Sequence, residues 1–411
     1  MRAQPVSPYA LMQGAPLLAA LLMLFVASVA CGALVGSPAA PTPAQSDPPA
    51  PGVTRQPADP APTAVVPVSG PAPAAQLAFI VGDPTQSFGD IAAAAPDGGG
   101  FRRLTTYGYN QDPVASPDGE RIAFRSIPAS IAGQPDALTR LGEGLFNIWV
   151  ISSDGAQAWK LTDGEVARGA PAWSPDSRRV AFAEGADGTI VEVEVTTGQR
   201  REIARGQAPR YHPAGDGLAY LTPAGGLAWL DGAGQTRALV PAGDLPAQTR
   251  VEDFDWLPGG THVAYTLADH SARIGTSTLG IIYSAWLKPT SGGPAVKLAD
   301  GVHDLRAAPD GRTIAAVQGS GYGDACHVDA QAAFLHLAAD LGSAQLRTSA
   351  DFQRPAATRT GESFYPASAL RWATKTLAFA RFGLTCAPEA ADAAGVYVLD
   401  TAAGTMTRIA D

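Results

Sequence analysis

The sequence predicts an all-β fold, a β-propeller of four-stranded antiparallel blades, and three observations predict it. A short apolar triplet recurs seven times within the 411 residues. Its copies stand roughly 40 to 65 residues apart, which is about the length of a propeller blade with loop insertions. Proline or glycine turns separate the short strands, and no convincing amphipathic helix lies between them. A β-sandwich has no reason to repeat one motif, so the repetition favours a propeller.

The first strand of each repeat runs into a tight turn. The clearest turns are Ser116-Pro117-Asp118-Gly119 and Ser174-Pro175-Asp176-Ser177. Proline presets φ for such a turn, and Asp and Gly tolerate its left-handed corner. Looser copies occur at Tyr211-His212-Pro213, Trp256-Leu257-Pro258-Gly259-Gly260 and Ala308-Pro309-Asp310-Gly311.

The second strand of each repeat is the apolar triplet, a pattern typical of a strand covered on both faces. A third apolar strand such as Ile148–Ile151 follows, then a glycine turn, then a polar strand such as Lys160–Thr162 that suits an exposed outer edge. The triplets are Leu77-Ala78-Phe79, Ile122-Ala123-Phe124, Val180-Ala181-Phe182, Leu218-Ala219-Tyr220, Val263-Ala264-Tyr265, Ile314-Ala315-Ala316 and Leu377-Ala378-Phe379.

The number of blades depends on the repeat at Leu77. Seven triplets favour seven blades, but this repeat has no obvious first strand. Val65–Val68 stands at about the right distance before it to supply one. Six blades with an N-terminal appendage is the alternative.

The N-terminus is typical of an export signal. Arg2 supplies the positive end, and Leu17–Val29 is an apolar run too short to span a membrane comfortably. The run ends at Ser28-Val29-Ala30-Cys31-Gly32, which resembles the bacterial lipobox, although that family usually has Leu where this chain has Ser28. The resemblance implies cleavage before Cys31 and a lipid on its thiol. Ordinary signal-peptidase cleavage after Ala30 is the alternative, and both predict an extracytoplasmic protein.

The sequence therefore divides into a signal peptide (1–30), a lipidated cysteine with a tether (31–62) and a propeller (63–411). The tether consists mainly of Pro, Ala, Thr and Asp and cannot bury enough apolar surface to offset the entropy of ordering. Proline-rich chain favours extended polyproline II, so roughly 25 residues at about 3.1 Å each could hold the propeller several nanometres from the membrane.

The repeats resemble the WD-like repeat of TolB and of the propellers attached to prolyl peptidases. The Ser-Pro-Asp-Gly turn, the following Ile-Ala-Phe and a closing Leu-Thr carry the resemblance, which is strongest at Ser116 and Ser174 and fades at Arg371-Trp372-Ala373-Thr374. It implies a propeller that binds a protein or peptide. TolB also carries a separate N-terminal α/β domain, in whose place this chain has only the tether, so no role in the Tol system follows.

Composition and motifs argue against other functions. A formal charge of -9 and a pI near 5.2 leave no basic stripe for nucleic acid. The chain contains no G-x-S-x-G elbow, H-E-x-x-H or P-loop motif. Its six histidines are scattered without ligand spacing, which favours structural roles. We therefore expect neither catalysis nor a cofactor. However, some propellers of this general shape are polysaccharide lyases with a histidine-bound metal.

Charged residues recur in the first strands, which line the central channel of a propeller. They could hold a small anion, a metal or a carboxylate, or they could simply pair between blades. Three carboxylates alone are a weak signal for calcium, which needs several further oxygens. Four of these residues occupy one equivalent position in consecutive repeats: Arg210, Asp255, Arg306 and Arg371. Three more lie two residues before that position in their repeats: Asp112, Asp253 and Asp304.

The long connections between second and third strands, together with one between two repeats, predict a loop face suited to binding. Insertions without a role are the alternative. Cys326 and Cys386 fall in such connections of consecutive repeats, so an oxidising compartment predicts a disulfide between them, with two free thiols as the alternative. Four tyrosines are the candidate contact residues of this face: Tyr107, Tyr109, Tyr322 and Tyr365.

Together these observations predict a monomeric, membrane-anchored scaffold that docks an envelope protein or peptide. The alternative function is binding of a glycan or small ligand, with possible metal-dependent lyase activity.

Overall fold

The computed structural model describes residues 77–82, 88–106, 108–127, 146–162, 169–185, 188–271, 273–274, 278–279, 281–324, 327–353, 364–366, 370–384 and 394–410. All of them belong to one unit of the chain, Val53–Asp411. The signal peptide, Cys31, the tether and Val65–Val68 lie outside the described residues. No helix in the described ranges is long and apolar enough to cross a membrane.

Seven antiparallel sheets follow one another along the chain, and each forms one blade. Six of them have at least four strands, whereas blade 1 has three in the described part of the chain. Blade 1 consists of β1 (Leu77–Val81), β2 (Asp90–Ala94) and β3 (Arg102–Arg103), blade 2 of β4 (Asn110–Ala115), β5 (Arg121–Ser126), β6 (Asn147–Ser152) and β7 (Ala158–Lys160), and blade 3 of β8 (Ala172–Trp173), β9 (Arg179–Glu184), β10 (Thr189–Glu194) and β11 (Arg200–Arg205). Blade 4 consists of β12 (Gln207–Tyr211), β13 (Gly217–Leu221), β14 (Leu227–Asp231) and β15 (Thr236–Val240), and blade 5 of β16 (Thr249–Trp256), β17 (His262–Asp269), β20 (Ile282–Pro289) and β21 (Val296–Asp300), with the inserted hairpin β18 (Arg273–Ile274) and β19 (Thr278–Leu279). Blade 6 consists of β22 (Val302–Ala307), β23 (Thr313–Asp324), β24 (His327–Leu337) and β25 (Ala344–Thr348), and blade 7 of β26 (Phe364–Pro366), β27 (Arg371–Trp372), β28 (Leu377–Leu384), β29 (Gly395–Asp400) and β30 (Thr405–Ala410).

The predicted seven-bladed propeller is confirmed, and the six-bladed alternative is wrong because β1, β2 and β3 form a sheet of their own. In blade 7 the inner edge of β28 pairs with two short strands, β26 and β27. Two short 3-10 helices, Ala242–Asp244 and Ser349–Asp351, lie in the connections after blades 4 and 6.

The predicted turns form as their residue types require. In the turn of blade 2, Gly119 N donates to Ser116 O at 2.8 Å, and Arg121 N donates to Ser116 Oγ at 3.0 Å. Asp118 N reaches across to Ser177 Oγ of blade 3 at 3.0 Å. The serine-proline turns therefore also connect neighbouring blades.

The core lies between blades, where the triplets meet. The middle alanine of the triplet is 0% exposed in six blades and 4% exposed in blade 1, which lets neighbouring sheets approach closely. Blade 7 packs against blade 1 through Phe379 and Val398 on one side and Leu77 and Phe79 on the other. This last contact closes the ring.

Candidate functional site in the axial channel

The innermost strands surround an axial cavity of about 780 Å³. First strands of blades 2 to 7 line it, and β1 lines it in blade 1. The structure brings all seven charged residues from the sequence alignment to this one cavity: Asp112, Arg210, Asp253, Asp255, Asp304, Arg306 and Arg371.

Bulges in three first strands turn the backbone at the channel wall. The pairing register shifts in β4, β12 and β22, and at each shift one non-glycine residue takes a positive φ. These residues are Asp112 (φ 50°), Ala208 (φ 49°) and Asp304 (φ 55°), and all three line the cavity. Bulges re-aim side chains, and Asp tolerates the left-handed region better than most residues. The bulges therefore place two of the carboxylates in the wall.

Asp253 joins three blades. Its Oδ1 accepts from Arg210 Nη2 of blade 4 at 2.7 Å, and its Oδ2 accepts from Arg306 Nη1 of blade 6 at 2.8 Å. Asp255 lies 3.3 Å from Arg210 Nη1 and accepts from Ala307 N at 2.9 Å. Burial alone lowers the pKa of Arg306, but the carboxylates of Asp253 and Asp255 outweigh it and the pKa rises. For these four charged residues, pairing between blades is what the structure shows.

Asp304 pairs with its own neighbour. His303 Nδ1 lies 3.0 Å from Asp304 Oδ2, and the imidazole ring packs on Tyr283 with 4.7 Å between ring centroids. Burial raises the pKa of Asp304, but the hydrogen bond and charge of His303 and the charge of Arg306 outweigh burial and lower it. Within the described ranges, no group of three or more His, Cys, Asp and Glu side chains could hold a metal ion.

Two further arginines line the cavity from second strands. Arg125 Nε donates to Asp112 Oδ2 at 2.7 Å, and its guanidinium lies 4.5 Å from the centre of the Phe146 ring. Arg381 Nη2 donates to Gly82 O at 2.7 Å. Sequence reasoning missed both because only first strands were aligned. The available signal was an arginine inside an otherwise apolar strand, directly after Ile122-Ala123-Phe124 and Leu377–Ala380.

Arg371 differs from the other charged residues of the cavity. Among the described residues its side chain has neither an ion pair nor a hydrogen bond, whereas each of the other side chains has a partner. Burial, together with the positive charge of Arg306, lowers the pKa of Arg371 to about 10. With five arginines and four aspartates, the cavity carries one formal positive charge in a chain of net charge -9.

The predicted loop face is only partly within the described residues. Tyr109 stacks on Phe88, with ring centroids 5.5 Å apart, and packs beside Ile127 and Phe146, so it contributes to packing. Tyr322 lies on β23 and Tyr365 on β26. Three residues of this prediction lie outside the described part of the chain: Tyr107, Cys326 and Cys386.

No family model matches the chain, and no curated protein matches it by sequence. Solved structures show a distant similarity. TolB from Acinetobacter baumannii is 16% identical with a TM-score of 0.46, and the match covers 67% of this chain and 63% of that one. This chain therefore spans less than two thirds of the length of that TolB.

Two propellers of other kinds are similar to the same degree. Oligogalacturonate lyase in complex with manganese is 11% identical with a TM-score of 0.48, over 73% of this chain and 84% of that one. The β-propeller domain of the Trilobed protease from Pyrococcus furiosus is 11% identical with a TM-score of 0.47, over 74% and 85%. At such identities the likeness concerns the fold alone.

Proposed function

We propose that this propeller is an extracytoplasmic scaffold, anchored to a bacterial membrane through Cys31, that docks an envelope protein or peptide at its axial channel. The observation that carries the proposal is the cavity of about 780 Å³ at the axis, lined by all seven blades. Concave sites that combine apolar walls with a few convergent polar groups are the usual binding sites of proteins.

The channel is suited to binding because its charged residues are held in place. Asp253 fixes Arg210 and Arg306 at once, and Asp112 fixes Arg125. Preorganised side chains lose little entropy when a partner arrives. These groups bond mainly to one another, an arrangement that favours recognition over proton transfer.

One end of the channel adjoins the long connections. Asn110 pairs with Ser126, and Val302 pairs with Gln318, so the start of each first strand adjoins the end of the second strand. The long connections predicted to form the loop face leave from that end. An extended segment of a partner could therefore enter the channel while the rest of the partner contacts the loops.

A pair of channel variants tests the docking site on the full-length protein. A photo-crosslinking amino acid at Ala172, which lines the cavity, should capture a partner that mass spectrometry identifies. Ala172→Trp should then weaken binding of that purified partner at least about tenfold by obstructing the channel. Thr236→Trp, at an exposed position of β15, is the matched control and should leave affinity unchanged. Equal affinities for the two variants would refute docking at the channel.

The membrane anchor has a separate test. Cells that express the full-length protein should hold it in the membrane fraction and incorporate labelled fatty acid into it. Cys31→Ser should abolish the label and release the protein. Release without any label on the native protein would instead support ordinary cleavage after Ala30.

A further inference from the structure

Arg371 is a cation that the described residues leave uncompensated at a wall where every other charge is paired. It lines the axial cavity from β27, and its side chain forms no ion pair or hydrogen bond within the described residues. The side chain of Arg371 is only partly exposed, and moving a charge out of water costs free energy unless a partner of opposite sign compensates it. An apolar residue at this position would avoid that cost, so packing alone gives no reason for an arginine.

The neighbouring charges increase the cost. Arg306 and Arg210 act on Arg371 with the same sign, and both are already bound to Asp253. Asp112 and Asp255 attract Arg371 from beyond ion-pairing distance, while Asp112 pairs with Arg125 and Asp255 with Arg210. An anion beside Arg371 would therefore bind a guanidinium that has no other partner among the described residues. It would also offset the repulsion among Arg371, Arg306 and Arg210.

The backbone at Arg371 is held in position. Arg371 pairs with Phe379 of β28, and the indole of the next residue, Trp372, donates to Arg306 O at 2.7 Å. The fork of a guanidinium matches carboxylate and phosphate geometry. A site so fixed can select an anion by shape as well as by charge.

The charge count decides between those two anions. Five arginines and four aspartates leave one positive charge in the cavity, which one carboxylate neutralises. A phosphate or sulfate dianion costs more free energy to desolvate, and it would leave one negative charge uncompensated among four aspartates, so it should bind less favourably than a monocarboxylate.

We propose that the axial channel recognises a carboxylate and that Arg371 is its ligand. The inference rests on the proposed docking function, because in the cell the carboxylate would belong to an acidic side chain or to a chain terminus of the docked partner. The binding chemistry itself is that of any monocarboxylate, so small acids are suitable probes.

Titration of the full-length protein at constant ionic strength tests the proposal. Acetate and propanoate should raise Tm in a saturable way, whereas propanamide, which has the same shape without the charge, should not. Sulfate also stabilises proteins without binding, because it is excluded from their surface, so only the saturable part of the rise in Tm is compared, and it should be smaller for sulfate than for propanoate. No saturable response to a carboxylate, or a stronger saturable response to sulfate, would overturn the assignment.

Variants locate the effect. Arg371→Gln should weaken propanoate binding at least about tenfold, because a charge-assisted bidentate pair is lost. Arg371→Lys keeps the charge without the fork and should retain an intermediate affinity. Arg200→Gln, on the outer strand β11 where Arg200 pairs with Glu184, is the control and should bind as the native protein does. Undiminished binding by Arg371→Gln would place the anion elsewhere and refute the proposal.

Should Arg371→Gln fail to fold, the native protein still provides a test. Nuclear magnetic resonance of uniformly ¹⁵N-labelled protein should show the guanidinium signals of Arg371 shifting with propanoate and not with propanamide; unchanged signals would count against the site. Failure of the docking proposal is a different result, namely a partner that binds Ala172→Trp and Thr236→Trp equally, and it leaves these titrations unaffected.

Discussion

The indole Nε1 of Trp372 in blade 7 donates a hydrogen bond to the main-chain carbonyl of Arg306 in blade 6, at 2.7 Å. The bond joins the innermost strands of two blades at the channel wall. Two other tryptophans at the ends of first strands make the same bond to the preceding blade: Trp173 Nε1 to Val114 O at 2.9 Å and Trp256 Nε1 to Arg210 O at 3.1 Å. Three of the blade junctions are thus fixed by an indole, and two of the acceptor carbonyls belong to arginines of the channel.

Replacement of one such tryptophan should destabilise the propeller. Trp173→Phe keeps most of the buried ring but leaves Val114 O without its donor, so we expect a loss of about 1 to 3 kcal/mol in the free energy of unfolding. Urea denaturation measures it. Trp159→Phe is the matched control, because the buried Trp159 Nε1 has no hydrogen-bond partner among the described residues. If both variants lost the same free energy, packing and not the indole bond would be responsible.

A buried carboxylate in blade 3 should make stability depend on pH. Glu192 is 5% exposed and accepts from Tyr211 Oη at 2.5 Å and from Arg201 Nε at 2.7 Å, and Arg179 Nη1 lies 3.2 Å away. Burial raises the pKa of Glu192, but the hydrogen bonds from Tyr211 and Arg201 and the two arginine charges outweigh burial and lower it.

The sign of the effect follows from that lowered pKa. The unfolded carboxyl has a pKa near 4.5, so its stabilising contribution is fully present above that pH and is lost as the pH falls through the folded value. Glu192→Gln should cost about 1.5 to 3 kcal/mol at pH 7, and the difference from the native protein should shrink below pH 4.5. Urea denaturation at pH 7 and pH 3.5 measures both. Glu202→Gln, whose side chain is 71% exposed on β11, should change little at either pH. A gap for Glu192→Gln that stays constant with pH would contradict this account.

The channel shows how far the sequence could predict this site. Aligning the repeats was sufficient to bring Arg306 and Asp253 to one cavity, because propeller first strands face the axis wherever the repeat recurs. The same alignment could not show that Asp253 binds arginines of two different blades, since distances across a junction depend on how the sheets are tilted within the ring. The bulge at Asp304 was equally hidden, because no residue type specifies a shift of pairing register. Arg371 looked like its equivalents in sequence, and only the contacts show that its side chain has no partner among the described residues.

Gly260 of blade 5 should tolerate no side chain. A Cβ there would lie 1.8 Å from His212 Nε2 of blade 4, and the backbone φ is +71°. His212 is held in turn by Trp229, whose ring stacks on it with 5.1 Å between centroids. Gly260→Ala must therefore displace a packed imidazole, and we expect a loss in the free energy of unfolding clearly larger than the strain of a left-handed alanine, about 1 to 2 kcal/mol.

The neighbouring glycine separates the two contributions. Gly259 has φ +91° but open space around its Cβ position, so Gly259→Ala should show the backbone strain alone. His212→Ala combined with Gly260→Ala should remove the clash and lose less than the sum of the single variants, as measured by a double-mutant cycle in urea. If the losses in unfolding free energy of the single variants were additive, the imidazole of His212 would move aside without a cost in free energy.

Blade 1 should gain its innermost strand from the residues that precede Leu77. Within the described residues β1 pairs with β2 alone, and Ala78, Phe79 and Ile80 line the channel where other blades present a first strand. In blades 2, 3 and 4 a proline in the first strand or directly before it stands ten residues before the middle alanine of the triplet: Pro113 before Ala123, Pro171 before Ala181 and Pro209 before Ala219. Pro67 stands eleven residues before Ala78, which supports the prediction that Val65–Val68 is that strand.

Two deletions of equal length distinguish a structural strand from more tether. Removal of residues 63–70 should lower the free energy of unfolding by several kcal/mol, because it exposes an inner sheet edge and the apolar surface that the strand would cover. Removal of residues 41–48, within the proline-rich tether, should leave it unchanged because that composition buries no core. Equal stability of the two deletion proteins in urea would mean that blade 1 needs no fourth strand, and that β1 itself forms the channel wall there.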